Sequence, residues 1–280
     1  MRYSKVSLAS GLFLAGNVLA IELNLGDASS IRDAAKTIAE SIINRYHNGS
    51  DIPGLFGEPY YFWESGLAWD SLIHYWHQTG DDSYNDIIGE ALRWQIGSEN
   101  DYMPVNQSKS EGNDDQSTWA LAAMTAAEYG FPSDVLKVLD TTTWVDLAIA
   151  VFNSQAARWD EETCNGGLRW QIFSFNNGYN YKNSMTNGNF YQLASRLARF
   201  TANNTYADWG ERVQDWTFEV GLIGDANSTR PGAVYDGSDS SENCSTINHI
   251  QWTASIGTYL AGSAYAYNHV SPLSWYFLLC

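Results

Sequence analysis

Two adjacent carboxylates, Asp114 and Asp115, stand in the segment Gly112-Asn113-Asp114-Asp115-Gln116, directly before the apolar residues Trp119, Ala120, Ala123 and Met124. Carboxyl groups held this close suit cleavage of a glycosidic bond: one, ionised, attacks or stabilises the anomeric carbon, and the other, protonated, donates to the leaving oxygen. Retaining enzymes hold the two about 5–5.5 Å apart and inverting enzymes about 6.5–9.5 Å, and neighbouring residues can meet the shorter distance. Mutual repulsion raises one pKa, while a helix N-terminus favours charge on the other. The same pentapeptide also reads as a plain helix start. Asn113 then serves as N-cap and Gln116 as N3, with both aspartates in the first turn complementing the helix dipole, an arrangement found in many proteins without catalytic duty.

Other constellations carry less. His74 and His77 share a helix face but have no third ligand nearby, so no metal site is expected there. Asp236 to Glu242 has the composition of a calcium loop without its residue order, which favours a solvated loop. Gly-x-Ser-x-Gly, P-loop and dinucleotide fingerprints are absent from the sequence, disfavouring serine hydrolase, nucleotidase and Rossmann chemistry; no cofactor is called for.

The elements that must position the pair are helical. Ile31, Ala35, Ile38, Ile42 and Tyr46 form one apolar stripe, and Leu193, Leu197 and Phe200 belong to another. Apolar spacing and the stop or start signals at Gly49, Gly80, Gly130 and Gly221 predict helices near 30–47, 64–79, 83–97, 114–129, 143–159, 187–202, 206–221 and 250–267. Leu168 to Phe173 reads as extended. Tyr84, Asp86 and Trp94 recur at the same spacing as Tyr206, Asp208 and Trp216, consistent with a toroid or solenoid of helical hairpins and equally with two unrelated amphipathic helices. Trp69, Trp76, Trp94 and Trp216 are read as core. The intervening loops are long and rich in aromatics and amides, such as Tyr60-Tyr61-Phe62-Trp63, Trp170-Gln171 and Asn176-Asn177-Gly178-Tyr179. Aromatic faces pack on sugar rings and amides bond hydroxyls, so the loops suit an uncharged polyol. Tyr61, Trp63, Trp170, Gln171 and Asn187 are the candidate substrate contacts.

The net charge of -17 repels phosphate backbones, so nucleic acid is not an expected partner. Arg2 and Lys5 before the apolar run Val6 to Leu19 form a signal peptide, 1–20, cleaved after Ala20. Sequons at Asn48, Asn106, Asn203, Asn227 and Asn243 agree with secretion and glycosylation. Cys164 and Cys244, both in loop-like stretches, are the natural disulfide pair in an oxidising compartment; three free thiols are the alternative. One domain, 21–269, accounts for the rest, with residues 270–280 as a tail.

Four motifs occur in order: Tyr60-Tyr61-Phe62-Trp63-Glu64-Ser65-Gly66, the Asp114-Asp115 segment, Cys164-Asn165-Gly166-Gly167-Leu168-Arg169-Trp170-Gln171, and Lys182-Asn183-Ser184-Met185-Thr186-Asn187-Gly188. Together they resemble glycoside hydrolase family 76, specifically fungal cell-wall members similar to mannan endo-1,6-α-mannosidases, over roughly Leu23 to His269. The resemblance implies an all-α (α/α)6 barrel and endo-action on α-1,6-linked mannose. It also implies a retaining mechanism, with Asp114 as nucleophile and Asp115 as general acid/base. Implied partners are α-1,6-mannan or the mannose glycan of a GPI-anchored protein, with wall glucan as a transfer acceptor. The expected location is secreted, at the cell wall or outer face of the plasma membrane, and the expected state is a monomer.

Two departures set further expectations. An (α/α)6 barrel has twelve helices and about eight are predicted, so the toroid is expected to be incomplete at the C-terminus and to expose apolar faces. The tail from Ser271 to Cys280 does not resemble the family and offers no spacer and apolar tail for GPI attachment. The alternative function is a glycan-binding or structural wall protein impaired in catalysis.

Overall fold

The structure, a computed structural model, describes residues 21, 23–47, 49–107, 109–139, 143–225 and 227–270. The leader 1–20, the Asn48 sequon and the tail from Ser271 to Cys280 lie outside the described residues. Eight α-helices follow in chain order: α1 (Ala28–His47), α2 (Phe62–Thr79), α3 (Asn85–Trp94), α4 (Asn113–Tyr129), α5 (Trp144–Ala156), α6 (Ser184–Thr201), α7 (Asn204–Glu219) and α8 (Thr253–Val270). Among the described residues they amount to four helical hairpins of an (α/α)6 barrel.

Burial separates two layers. α4 and α6 are buried on nearly every face, as helices inside a ring must be, whereas α1 buries only Ala34, Ala39 and Ile43. The even-numbered helices form the inner row, α2 against α4, α4 against α6 and α6 against α8, while α1, α3, α5 and α7 back them from outside. Glycines set the inner spacing. A Cβ at Gly188 would reach Thr258 Oγ1 at 2.1 Å and one at Gly262 would reach the Tyr191 ring at 2.5 Å, so α6 and α8 approach closely only without side chains there. On its far side α8 leaves Leu260 and Tyr267 exposed, and α2 leaves Leu67 exposed.

Connections into the inner helices, 48–61, 95–112, 157–183 and 220–252, are long; of those leaving them, 80–84 and 202–203 are short and 130–143 carries a 3-10 turn. The long loops therefore collect at the N-terminal end of the inner row and knit together there. Strands β1 (Tyr181–Asn183), β2 (Gly237–Asp239) and β3 (Ile247–Asn248) form an antiparallel sheet in that order, with Lys182 opposite Ser238. The stretch from Leu168 to Phe173 is not one of its strands, contrary to its extended reading, and contributes a single bridge, Gln171 to Gly112. The disulfide between Cys164 and Cys244, Cα atoms 5.5 Å apart, ties two of the loops. No helix among the described residues is long and apolar enough to cross a membrane.

Tryptophan placement follows the layers. Trp69 and Trp216 are buried, their indole N–H groups donating to the carbonyls of Gly54 and Cys164. Trp76 is partly buried against the core. Trp94, expected in the core, is 51% exposed, because it ends a short outer helix under Arg93.

Candidate active site

The first turn of α4 carries the carboxylate pair, and its start is shifted by one residue from the sequence reading. Gly112, extended at φ -87 and ψ 165, is the N-cap, and Asn113 is the first helical residue. Asn113 does not cap the helix because its side chain is used elsewhere: its amide donates to Arg169 O at 2.8 Å and its oxygen accepts from Arg158 Nε at 2.8 Å. Asp115 rather than Gln116 closes the box, its Oδ2 accepting Gly112 N–H at 2.6 Å. Gln116 instead donates to Asp101 O at 2.7 Å.

Both carboxylates converge over Gly112. A Cβ there would lie 2.4 Å from Asp114 Oδ1, 3.3 Å from Asp115 Oδ2 and 3.0 Å from Trp170 O, so the site needs a residue without a side chain. Across from the pair, Trp170 O accepts Asn113 N–H at 2.8 Å. Desolvation raises both aspartates above the ordinary carboxylate range. Asp114 is raised further by the negative charge of Asp115, against the opposing help of backbone N–H groups and the Trp170 indole. The Gly112 N–H draws charge towards Asp115, and the two groups titrate as one system.

Two cavities flank the Trp170-Gln171 strip. One of about 470 Å³ is lined by Trp170, Asn176, Asn177, Tyr179, Tyr181 and Asp239. The other, about 340 Å³, includes Asn113, Arg158, Asp160, Arg169, Gln171 and Tyr179. Their walls are held by buried charge. Lys182, wholly buried, donates to the carbonyls of Asp160, Thr163 and Gly166 at 3.0, 2.7 and 2.6 Å and pairs with Asp160 at 3.1 Å. Arg169 pairs with the same Asp160 at 2.7 Å and lies over the Tyr179 ring. Gly178, at φ +92, packs so close to Trp170 that a Cβ would sit 2.4 Å from the indole ring.

Of the candidate contacts, Trp170 and Gln171 lie beside the pair. Asn187 requires correction: it is wholly buried, its amide spent on Leu168 N, Leu168 O and Asn183 O, so it braces the 168–171 strip from below and has nothing left for a sugar. Trp63 lines a separate apolar groove of about 490 Å³ between α1 and α2 with Phe56, Tyr60 and Leu67. Tyr61 stands 71% exposed at the start of α2, and no contact brings it to the aspartates. His74 bonds Tyr129 and His77 stacks on it. No cluster of metal-ligating residues occurs among the described residues. Two residues the sequence reading did not single out are Arg158, which bonds Asn113 and Gln116, and Glu111, buried one residue before the N-cap; Arg158 gives no local signal, whereas Glu111 adjoins the motif. Asn106, Asn203, Asn227 and Asn243 are all exposed, although Asn243 Oδ1 accepts Cys164 N–H at 2.7 Å.

Inner and outer helices with long loops at one end, and an adjacent carboxylate pair among those loops, define a helical toroid with its candidate site at the loop-rich end. The chain belongs to glycosyl hydrolase family 76, whose family profile matches residues 30–277; the match reaches past His269 into the stretch from Ser271 that the sequence reading set apart from the family, and corrects that reading. It is 44% identical over 274 residues to mannan endo-1,6-α-mannosidase DCW1 of Saccharomyces cerevisiae, covering 97% of this chain and 60% of that protein. With the Candida albicans protein of the same name it shares 46% identity over 262 residues, 92% of this chain and 56% of the other. Dfg5 from Chaetomium thermophilum, solved in complex with glucosamine, superposes with a TM-score of 0.81 at 41% identity, over 91% of this chain and 63% of that one. A Salegentibacter α-1,6-mannanase shares the fold at a TM-score of 0.66 and 18% identity, over 86% and 65%. The chain spans about three-fifths of the length of the curated relatives it matches.

Proposed function

We propose that this protein cleaves α-1,6-mannosidic linkages with retention, acting from within the chain on wall mannan or on the mannose glycan of GPI-anchored proteins, in the fungal cell wall. The observation that carries the reading is the convergence of Asp114 Oδ1 and Asp115 Oδ2 over Gly112, which suits the short separation of a retaining pair. Asp114 attacks the anomeric carbon, and Asp115 protonates the leaving oxygen and then deprotonates the incoming hydroxyl. A single proton serves the pair. In the resting site the Gly112 N–H favours its residence on Asp114, so a bound sugar must draw it to Asp115 before attack.

Support comes from the relatives, two of which are named mannan endo-1,6-α-mannosidases. The bacterial mannanase adds that a variant with two consecutive aspartates replaced by alanine is inactive and holds α-1,6-mannotetrose. The two cavities flanking the Trp170-Gln171 strip supply room for glycan near the pair, and a glucan hydroxyl in place of water would turn hydrolysis into transfer. Residues 21–269 act as the catalytic unit, secreted after removal of 1–20, without cofactor or metal and as a monomer. The test is turnover of α-1,6-mannotetraose by the purified protein, with product anomers read by NMR. Retained α-product that disappears in Asp114→Asn supports the proposal; binding without turnover favours a glycan-binding wall protein instead.

A further inference from the structure

Asp236 opens the acidic stretch whose composition suggested a calcium loop, and its carboxyl group is spent on three donors instead. Oδ2 accepts from the Tyr181 hydroxyl at 2.7 Å and from Asn248 Nδ2 at 2.9 Å, and Oδ1 accepts from Trp252 Nε1 at 2.9 Å. The backbone is pinned as well: Asp236 N–H donates to Asn248 O at 3.1 Å, and its carbonyl accepts the N–H of Ser184, the first residue of α6, at 2.8 Å. Trp252 directly precedes α8, its carbonyl accepting Ile256 N–H at 3.1 Å, as Gly112 directly precedes α4. One carboxyl group thus links the starts of two inner helices at the loop-rich end. It also reaches the site, because Tyr181 O accepts Trp170 N–H at 2.6 Å and both residues line the cavity of about 470 Å³. Trp252 is not in that lining and is 54% exposed. Its one polar side-chain atom is the indole N–H, which water would satisfy at a surface; a bond to a carboxyl group held by two other donors fixes the direction of the ring instead.

We propose that Trp252 is an outer sugar platform, a subsite for a mannose unit beyond those in the cavity beside Trp170, and that Asp236 is the positioning residue that holds its ring. This rests on the reading of the protein as an α-1,6-mannan enzyme. A sugar ring presents an apolar C–H face between polar edges, and an indole offers a flat apolar area to match it. A ring already fixed loses less freedom on binding than a loose one, so holding Trp252 adds affinity without a new contact. The contacts run outward from the pair, from Trp170 through Tyr181 and Asp236 to Trp252. The platform therefore serves long chains over short ones, and it acts on binding rather than on the bond being cleaved. An uncharged glycan meets no repulsion from a chain of net charge -17.

Titration calorimetry on the Asp114→Asn protein tests the subsite, with α-1,6-mannobiose and α-1,6-mannohexaose as probes. The hexaose is expected to bind more tightly than the biose. Adding Trp252→Ala should weaken hexaose binding about 3- to 10-fold, the scale of one aromatic face, and biose binding by about twofold at most. Trp252→Phe, with a ring but no N–H for Asp236, should fall between. Asp236→Asn should also weaken the hexaose, and combined with Trp252→Ala it should cost less than the sum, since both changes remove one platform. With Asp114 intact, the same changes should raise KM for the hexaose and keep kcat within about twofold. Because Trp252 is half exposed, Trp252→Ala should melt near wild type. Unchanged hexaose affinity in Trp252→Ala overturns the platform, and a lowered melting temperature beside it marks a packing residue instead. Strictly additive losses overturn the role of Asp236. An Asp114→Asn protein that binds neither probe overturns the mannan reading itself, and the subsite with it.

Discussion

Asp115 Oδ2 accepts the backbone N–H of Gly112 at 2.6 Å, so the carboxylate at the third helical position caps the helix that carries it. The bond does two things at once: it fixes the Asp115 side chain over Gly112, beside Asp114, and it biases negative charge towards Asp115. Capping and chemistry are not alternatives at this turn. One geometry serves both.

Gly112→Ala tests that geometry. The added methyl would meet Asp114 Oδ1 at 2.4 Å, which cannot be accommodated without moving the carboxylate. Because φ at Gly112 is -87, the backbone itself tolerates alanine, so the protein should still fold, with a modest fall in melting temperature from the crowding against Asp114 Oδ1 and Trp170 O. A displacement of this size at a reacting group is expected to lower kcat about 100-fold, measured on α-1,6-mannotetraose.

Asp114→Asn should abolish turnover and also stabilise the protein. Burial and the charge of Asp115 raise the Asp114 pKa in the folded state, so its ionisation destabilises the fold as pH climbs above the ordinary carboxylate range. The variant is expected to melt above wild type at pH 7.5 and level with it at pH 4. Calorimetry at the two pH values checks the sign.

Trp170→Phe keeps an aromatic wall but removes the indole N–H that helps hold charge on Asp114. Loss of a donor to the anion raises the Asp114 pKa, so the acid limb of kcat/KM should move to higher pH. A profile superimposable on wild type would show that the indole acts on the sugar alone.

Lys182→Met should cost about 3 kcal/mol in denaturant unfolding, since three carbonyls and the Asp160 carboxylate lose a buried donor. Cys164→Ser releases a disulfide spanning 80 residues in the same loop region and should cost about 2–5 kcal/mol. The two changes act on one loop, so the double variant is expected to lose less than their sum.

Eight helices and the Asp114-Asp115 pair were legible in the sequence, because apolar period, glycine stops and adjacent acids are local properties of the chain, whereas the local pattern left the hairpin array open and the barrel came from the family resemblance. Misreadings fell where local pattern underdetermines contact. Asn113 reads as an N-cap, yet Arg158 and Arg169, 45 and 56 residues away, claim its side chain. Asn187 has the chemistry of a sugar contact, yet packing under Leu168 uses every polar atom of its amide. Trp63 and Trp170 are alike in type, and only the meeting of the 168–171 strip with Gly112 puts one beside the pair and leaves the other in a groove between α1 and α2. Glu111 is an ordinary acid by sequence. Its burial among Asp101, Asp115 and Arg158 is decided by the tertiary structure alone, since desolvation and the charges that shift a proton come from residues distant along the chain.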